Sequence, residues 1–383
     1  MRAGGDWPEF GYDPLDLADT QAPRRVGWLP YRRLSLGAKA TATPTLLFIL
    51  AGMAFGPHGL NLLTSSVMTN SQALVWVGLA VTGVFVGLGL ASRSAVPGRN
   101  VALTSGLIAL MTVGVIAAGL YLLSSRAGLP LSGALGAGAI LAGLSVSVSA
   151  AIPTSPTASR EIEQAARLAD LDDFPLVVGG VIVLAVLSGE AAALRVIVTV
   201  AAGGALGLAG CLLFSRATDT ERGLFVAGIV LLLAGAGAYL GTSPLASGCA
   251  AALVWSRVPG TADRITAHDL RVLQHPLVVL ILIFAGATIQ ITLAVLWVAA
   301  IIVVLRLAAK LLVSVVVSRL AAASPSLLAS VLLQPGVLGV GLAMNAWLLL
   351  GDDYRWVLSA VSLATVTSEA LALFLLGATE AAP

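Results

Sequence analysis

The sequence predicts an all-α polytopic membrane protein with about twelve transmembrane helices, two of them interrupted. Composition is one reason. Of 383 residues, 58% are hydrophobic and 10% charged, whereas soluble domains carry about 25% charged residues. Segmentation is another. The apolar residues gather into runs near the ~20 residues that a spanning helix needs, and only helices or closed barrels satisfy their backbone in lipid. The third is the placement of arginine, which follows the bias expected of cytoplasmic connections.

Residues 1–40 form a polar tail with no apolar core after its first charges, so no secretory signal is expected. Its charge is split: Asp6, Glu9, Asp13, Asp16 and Asp19 precede Arg24, Arg25, Arg32, Arg33 and Lys39. The basic half reads as a cytoplasmic anchor, with anionic lipid headgroups as a related contact. The transmembrane domain, 41–383, holds apolar segments at 43–63, 72–91, 100–123, 130–152, 161–189, 192–214, 223–241, 243–257, 272–290, 293–318, 326–350 and 355–377. The segment at 243–257 is short and reads as tilted or partly re-entrant.

With the tail placed inside, the inner connections hold Arg93, Arg99, Arg160, Arg167, Arg216, Arg222, Arg257, Arg264, Arg271 and Arg319. The outer ones hold Arg126, Arg195 and Arg355. An even number of spans with both termini cytoplasmic follows.

The stretch 142–189 organises the chain. It is apolar at both ends and polar in the middle, where Asp172 and Asp173 stand side by side. The apolar run from Phe174 to Gly189 falls short of a full span, so a helix using it draws the two carboxylates into the membrane. Ionisable residues at that depth usually mark an ion or proton path. In the segment 130–152, Ser145, Ser147 and Ser149 alternate with Val146 and Val148, and Pro153 follows. β-Branched residues and locally bonding hydroxyls both weaken a helix, which predicts unwinding there. In 326–350, Pro335 removes a helix hydrogen bond and Gly336 permits an unusual backbone. Two interrupted helices in corresponding positions point to the site of an inverted-repeat transporter, although Pro and Gly also simply kink membrane helices. Arg306 and Lys310, four apart on one helix face, sit inside the run 293–318. Lys310 either snorkels to the cytoplasmic end or is a buried cation opposite the acidic pair.

Other classes find little support. Cys211 and Cys249 sit in apolar runs as packing residues, and the three histidines are scattered. Nothing suggests a metal site or cofactor beyond a transported monovalent cation. No nucleophile, phosphate loop or basic patch suggests an enzyme or a nucleic-acid partner. Glu369 reads as a helix-end residue and His58 as interfacial.

Taken together, these segments resemble the cation/proton antiporter superfamily, in order and spacing, over most of residues 42–377. LLFILAGMAFGPHGLNLL is similar to the family's second helix, AGLSVSVSA to its unwound fifth and SREIEQAARLADLDD to the approach to the paired acids of the sixth. HPLVVLILIFAGATIQI resembles the tenth helix, RLAAKLLVSVV the eleventh with its basic position at Lys310, and LLASVLLQPGVLGVGLAMNA the second broken helix. The resemblance implies an inverted-repeat fold with two broken crossing helices. It implies scaffold helices at 43–91 and 223–290, core helices at 100–189 and 293–377, and a linker helix at 192–214. It implies exchange of sodium or lithium, with potassium as a further candidate, for protons, in a bacterial inner (plasma) membrane, by a homodimer surrounded by lipid. Asp172 and Asp173 would bind the ions with Ser145 and Ser147, and Lys310 and Arg306 would be core counter-charges. The usual first helix is missing, Pro175 follows the acidic pair, and Leu338 stands where relatives often carry an acid. A rival alignment takes PTSPT (153–157) as the unwound motif and moves the acidic positions to Gly180–Val183, leaving Asp172 and Asp173 interfacial. A transport-inactive membrane subunit or sensor and a sodium-coupled organic-anion symporter, with Arg306 as the carboxylate ligand, are the alternatives.

Overall fold

The computed structural model describes residues 45–92, 99–131, 134–149, 160–189, 192–214, 217–257, 262–318, 332 and 335–380. The polar tail lies outside them. The described residues form twelve α-helices: α1 (Thr45–Phe55), α2 (Ser65–Ser92), α3 (Arg99–Arg126), α4 (Leu135–Ser147), α5 (Arg160–Leu187), α6 (Ala192–Phe214), α7 (Asp219–Leu240), α8 (Pro244–Arg257), α9 (Ala262–Thr288), α10 (Leu293–Ser318), α11 (Val337–Leu350) and α12 (Arg355–Glu380). Among the described residues, five stretches are long and apolar enough to cross a membrane: Ser65–Gly89, Thr104–Arg126, Ala192–Phe214, Gly223–Leu240 and Leu293–Ser318. Leu110, Leu212, Leu224 and Leu293 are each at least 70% exposed, which only a lipid environment makes cheap. The chain is an integral membrane protein.

Element ends differ from the sequence expectation where local chemistry stops or extends a helix. The segment expected at 43–63 is helical only to Phe55. Gly56 and Pro57 end it, and the chain folds back so that the Leu60 N–H donates to the Ala54 carbonyl (2.7 Å) and that of Leu63 to Phe55 (2.8 Å). Asn61 turns the corner with φ 52°, a left-handed conformation that Asn tolerates. In the other direction, α9 starts ten residues before the expected 272, in a polar stretch beyond the apolar run.

Helix α8 is too short to cross alone: 14 residues rise about 21 Å. It is instead the buried centre of a cluster. Gly83 of α2 lies against the Leu245 carbonyl, Gly248 of α8 against the Ala80 carbonyl, and Gly203 of α6 against the Ser247 carbonyl. Helices in lipid gain nothing from hiding apolar surface from lipid, so they associate by close backbone approach at small residues. Trp255 locks the cluster, donating its indole N–H to the Gly207 carbonyl (2.9 Å) and packing edge-on against Phe214. Helices α1 and α9 meet in the same manner through Gly52 and Gly286. A second group, α3, α4, α5, α10, α11 and α12, packs around α4 and α11.

At the start of α7, outside the span, the Glu221 carboxylate accepts from the Thr218 backbone N–H (3.0 Å) and hydroxyl (2.8 Å). These bonds, the backbone one foremost, hold its pKa below the ordinary carboxylate value. A lowered folded pKa stabilises above the unfolded value and is lost as pH falls through the folded one. Glu221→Gln is therefore expected to lower the melting temperature slightly at neutral pH. The difference from wild type should vanish in acid, as thermal unfolding in detergent across pH would read.

Candidate functional site

The two interrupted segments cross. Helix α4 stops at Ser147, and Val148 is extended (φ −57°, ψ 131°). Ser149 then pairs with Pro335 in an antiparallel bridge. The Gly336 N–H donates to the Val148 carbonyl (3.3 Å), and the Ser149 hydroxyl to the Leu332 carbonyl (3.4 Å). Gly336 itself is extended and starts α11. A Cβ there would lie 2.7 Å from the Ser149 carbonyl oxygen, and one on Gly339 would strike the Ser145 carbonyl, so the backbones cross only because both positions are glycine. Pro335 suits the bridge because it has no N–H to place.

Stopping α4 inside the helical bundle orphans its last carbonyls and leaves the negative end of a helix dipole among buried apolar residues. Helix α10 supplies the cure. Lys310, 0% exposed, donates from Nζ to the Ser147 carbonyl (2.6 Å) and the Ser149 hydroxyl (3.0 Å). Arg306, 3% exposed, donates from Nη2 to the Val148 carbonyl (3.2 Å). Lys310 does not snorkel; it is held at the crossing.

Asp173 lies on the inward stripe of α5 with Val177, Gly180 and Leu184, all three buried, and its Oδ1 is inaccessible to solvent. Its depth follows from packing. Gly179 lies beside Leu144. From there Asp173 is six residues along α5, about 9 Å, and Ser149 is five residues along the α4 segment, about 11 Å with its extended end. With α5 running back along α4, this count brings residue 173 to about the level of the crossing. Gly180–Val183, the rival acidic positions, stand two to three helical turns from Asp173. The side chain of Asp172 and the PTSPT stretch lie outside the described residues. Ser145 and Ser147 are both buried beside the crossing, and the Ser147 hydroxyl donates to the Gly143 carbonyl (2.6 Å).

Two features were not read from the sequence. Glu369 is no helix-end residue: it sits eleven residues before the end of α12 and is 4% exposed. Its signal was the spacing of Ser359, Ser362, Thr365 and Glu369, which repeats at three or four residues and marks one polar, buried helix face. The other is Asn345 of α11, which donates from Nδ2 to the Ser243 hydroxyl (2.9 Å); that hydroxyl also accepts from the Ala246 N–H at the start of α8.

Among solved structures, the chain is similar to that of the sodium proton antiporter MjNhaP1 from Methanocaldococcus jannaschii. The likeness covers 90% of this chain and 94% of that one, with a TM-score of 0.54 and 17% identity. The fold is a sodium/proton antiporter fold. It contains the two broken crossing segments that the sequence suggested. No family model matches the chain, and a search of curated proteins finds no match.

Proposed function

We propose that this chain exchanges a monovalent cation, sodium or lithium in the first place and potassium as a further candidate, for protons. The observation that carries the proposal is a buried lysine held on the unwound end of α4 where it crosses the second broken segment; counting along α5 brings Asp173 to a similar level. Broken helices offer carbonyls and dipole ends to an ion at mid-membrane. Hard cations take oxygen ligands, which Asp172, Asp173 and the Ser145 and Ser147 hydroxyls can offer. Adjacent carboxylates cannot both ionise cheaply, so a proton and a cation compete for them as one coupled unit. Competition at a single site gives exchange with no covalent chemistry.

Alternating access needs two bodies. The group of α3–α5 and α10–α12 would be the moving core, and α1, α2 and α7–α9 the scaffold, with α6 between them. In this reading both termini are cytoplasmic, the host membrane is a bacterial inner membrane, lipid covers the exposed leucines and two scaffolds form a homodimer. A sodium-coupled symporter of organic anions is less favoured, because Arg306 is engaged on the Val148 carbonyl and not directed at open space.

The test is proton flux in proteoliposomes on adding sodium, lithium or potassium, with Asp173→Asn beside wild type. Cation-driven flux that falls at least about a hundredfold in the variant is expected. That fold-loss corresponds to removing a binding interaction of roughly 3 kcal/mol. Absence of flux from folded wild-type protein with every cation would favour the transport-inactive subunit and sink the proposal.

A further inference from the structure

We infer that Glu369 is the anionic partner of Arg306, a buried positioning residue that ties α12 to α10 at the crossing and leaves Lys310 as the cation that Asp173 must offset.

Two independent rulers put Glu369 at that depth. Helices α10 and α12 start from the same end and pack along each other. The Arg355 Nε donates to the Thr288 carbonyl (3.2 Å), and the Gln290 N–H donates to the Ser359 hydroxyl (3.0 Å), just before α10 begins. Glu369 is ten residues down α12 from Ser359, about 15 Å, and Arg306 is thirteen residues down α10 from its first residue Leu293, just past that level, about 20 Å. They differ by one helical turn, within reach of two long side chains. The second ruler uses α4, where Gly138 packs against the Trp356 ring. Counting from this contact, Ser149 is nine helical and two extended residues away and Glu369 is thirteen helical residues away, both about 20 Å.

The chemistry of the neighbourhood narrows the partner. A carboxylate in an apolar bundle needs an opposite charge or a proton. Among the described helices packed against α12, α1, α4 and α11 carry no ionisable side chain. Helix α9 carries His275, whose side chain is exposed, and further ionisable residues only beyond it towards the helix start. The 3₁₀ turn at Asp352–Tyr354 brings acids, at the far end of α12. Helix α10 brings Arg306 and Lys310, both buried. Lys310 is committed to Ser147 and Ser149, and it lies one turn further from Glu369 than Arg306 does. The buried face of Ser359, Ser362 and Thr365 supplies a polar surround for the pair on the α12 side.

The pairing itself does not depend on the chain being a transporter; its effect on ion binding rests on the proposed exchange. A thermal double-mutant cycle on the full-length protein in detergent tests the pairing. Glu369→Gln and Arg306→Gln should each lower the melting temperature by several degrees. The double variant should lose no more than the worse single. Losses that add would overturn the pairing. Where a single variant yields no folded protein, the charge swap Glu369→Arg with Arg306→Glu decides: recovered fold supports the pair, and a swap as defective as the singles overturns it. In proteoliposomes, Glu369→Gln should raise the cation concentration for half-maximal flux several-fold with little change in maximal rate, because Arg306 then adds an uncompensated positive charge beside the site. Glu369→Asp should restore most of the affinity. An unchanged half-saturation would overturn the positioning role. Should wild type show no flux at all, the exchange proposal fails, and the melting cycle still decides the pair.

Discussion

Lys310→Met abolishes cation-driven proton flux and lowers thermal stability more than any other single side-chain truncation at the crossing; this is the expected result. The ammonium is fully buried and donates to the Ser147 carbonyl at 2.6 Å and the Ser149 hydroxyl at 3.0 Å. Methionine matches its length and removes its charge, so the loss is not one of packing volume. Two buried polar atoms then lose their donor or partner, at about 1–3 kcal/mol each. The negative end of α4 also loses the nearer of its two cations, a further contribution of up to about 2 kcal/mol in a buried setting. Against a native stability of about 5–15 kcal/mol this is a large share. Lys310→Arg should keep the charge and part of the fold but not the geometry, because a planar fork does not replace a compact ammonium donating at 2.6 Å. Flux in proteoliposomes and melting in detergent check both. A methionine variant that melts and exchanges like wild type would remove Lys310 from the mechanism.

The parts of this arrangement that were legible in the sequence are those where local chemistry decides the backbone. The Ser–Val alternation at 145–149 and the Pro335–Gly336 pair both disfavour helix within a few residues, and both segments are extended where they meet. The spacing of Arg306 and Lys310 put them on one face before the partner of that face was known, and the partner is the end of α4. Glu369 was misread for a reason of the same kind. A lone acid near the end of an apolar run usually marks the membrane boundary, but α12 continues to Glu380 and carries the acid inside. The first segment was overlong because hydropathy counts apolar residues without regard to Gly56–Pro57, which turn the chain back. The burial of α8 was illegible for a different reason. The glycines that seat it come from α2, α6 and α8 itself, and nothing local in a sequence says which glycine faces meet.

That last point gives the other large expected effect. Gly248→Val should leave no folded protein, and Gly248→Ala only a destabilised fraction, whereas Gly235→Ala on α7 should be neutral or slightly stabilising. All three add atoms to a helical glycine, so propensity alone favours the alanines by up to about 1 kcal/mol. Space separates them. A Cβ on Gly248 falls on the Ala80 carbonyl, with Val84 backbone nitrogen 3.1 Å away, and neither is the end of a side chain that can swing aside. A Cβ on Gly235 meets nothing within 4 Å. To admit even a methyl group, α2 and α8 must move apart along their whole contact. Overpacking a core costs about 1–3 kcal/mol where side chains can yield, and more where backbone must. The damage is not confined to the α2–α8 seam. Ser243 caps α8 and accepts the Asn345 amide of α11 at 2.9 Å, and α11 begins at the crossing itself. Displacing α8 therefore pulls on the segment that Ser149 pairs with, and the Gly248→Ala fraction that does fold should also exchange more slowly. Yield of monodisperse protein, melting temperature and flux per folded molecule separate the two effects. Equal behaviour of Gly248→Ala and Gly235→Ala would show that α8 is not seated by backbone contact.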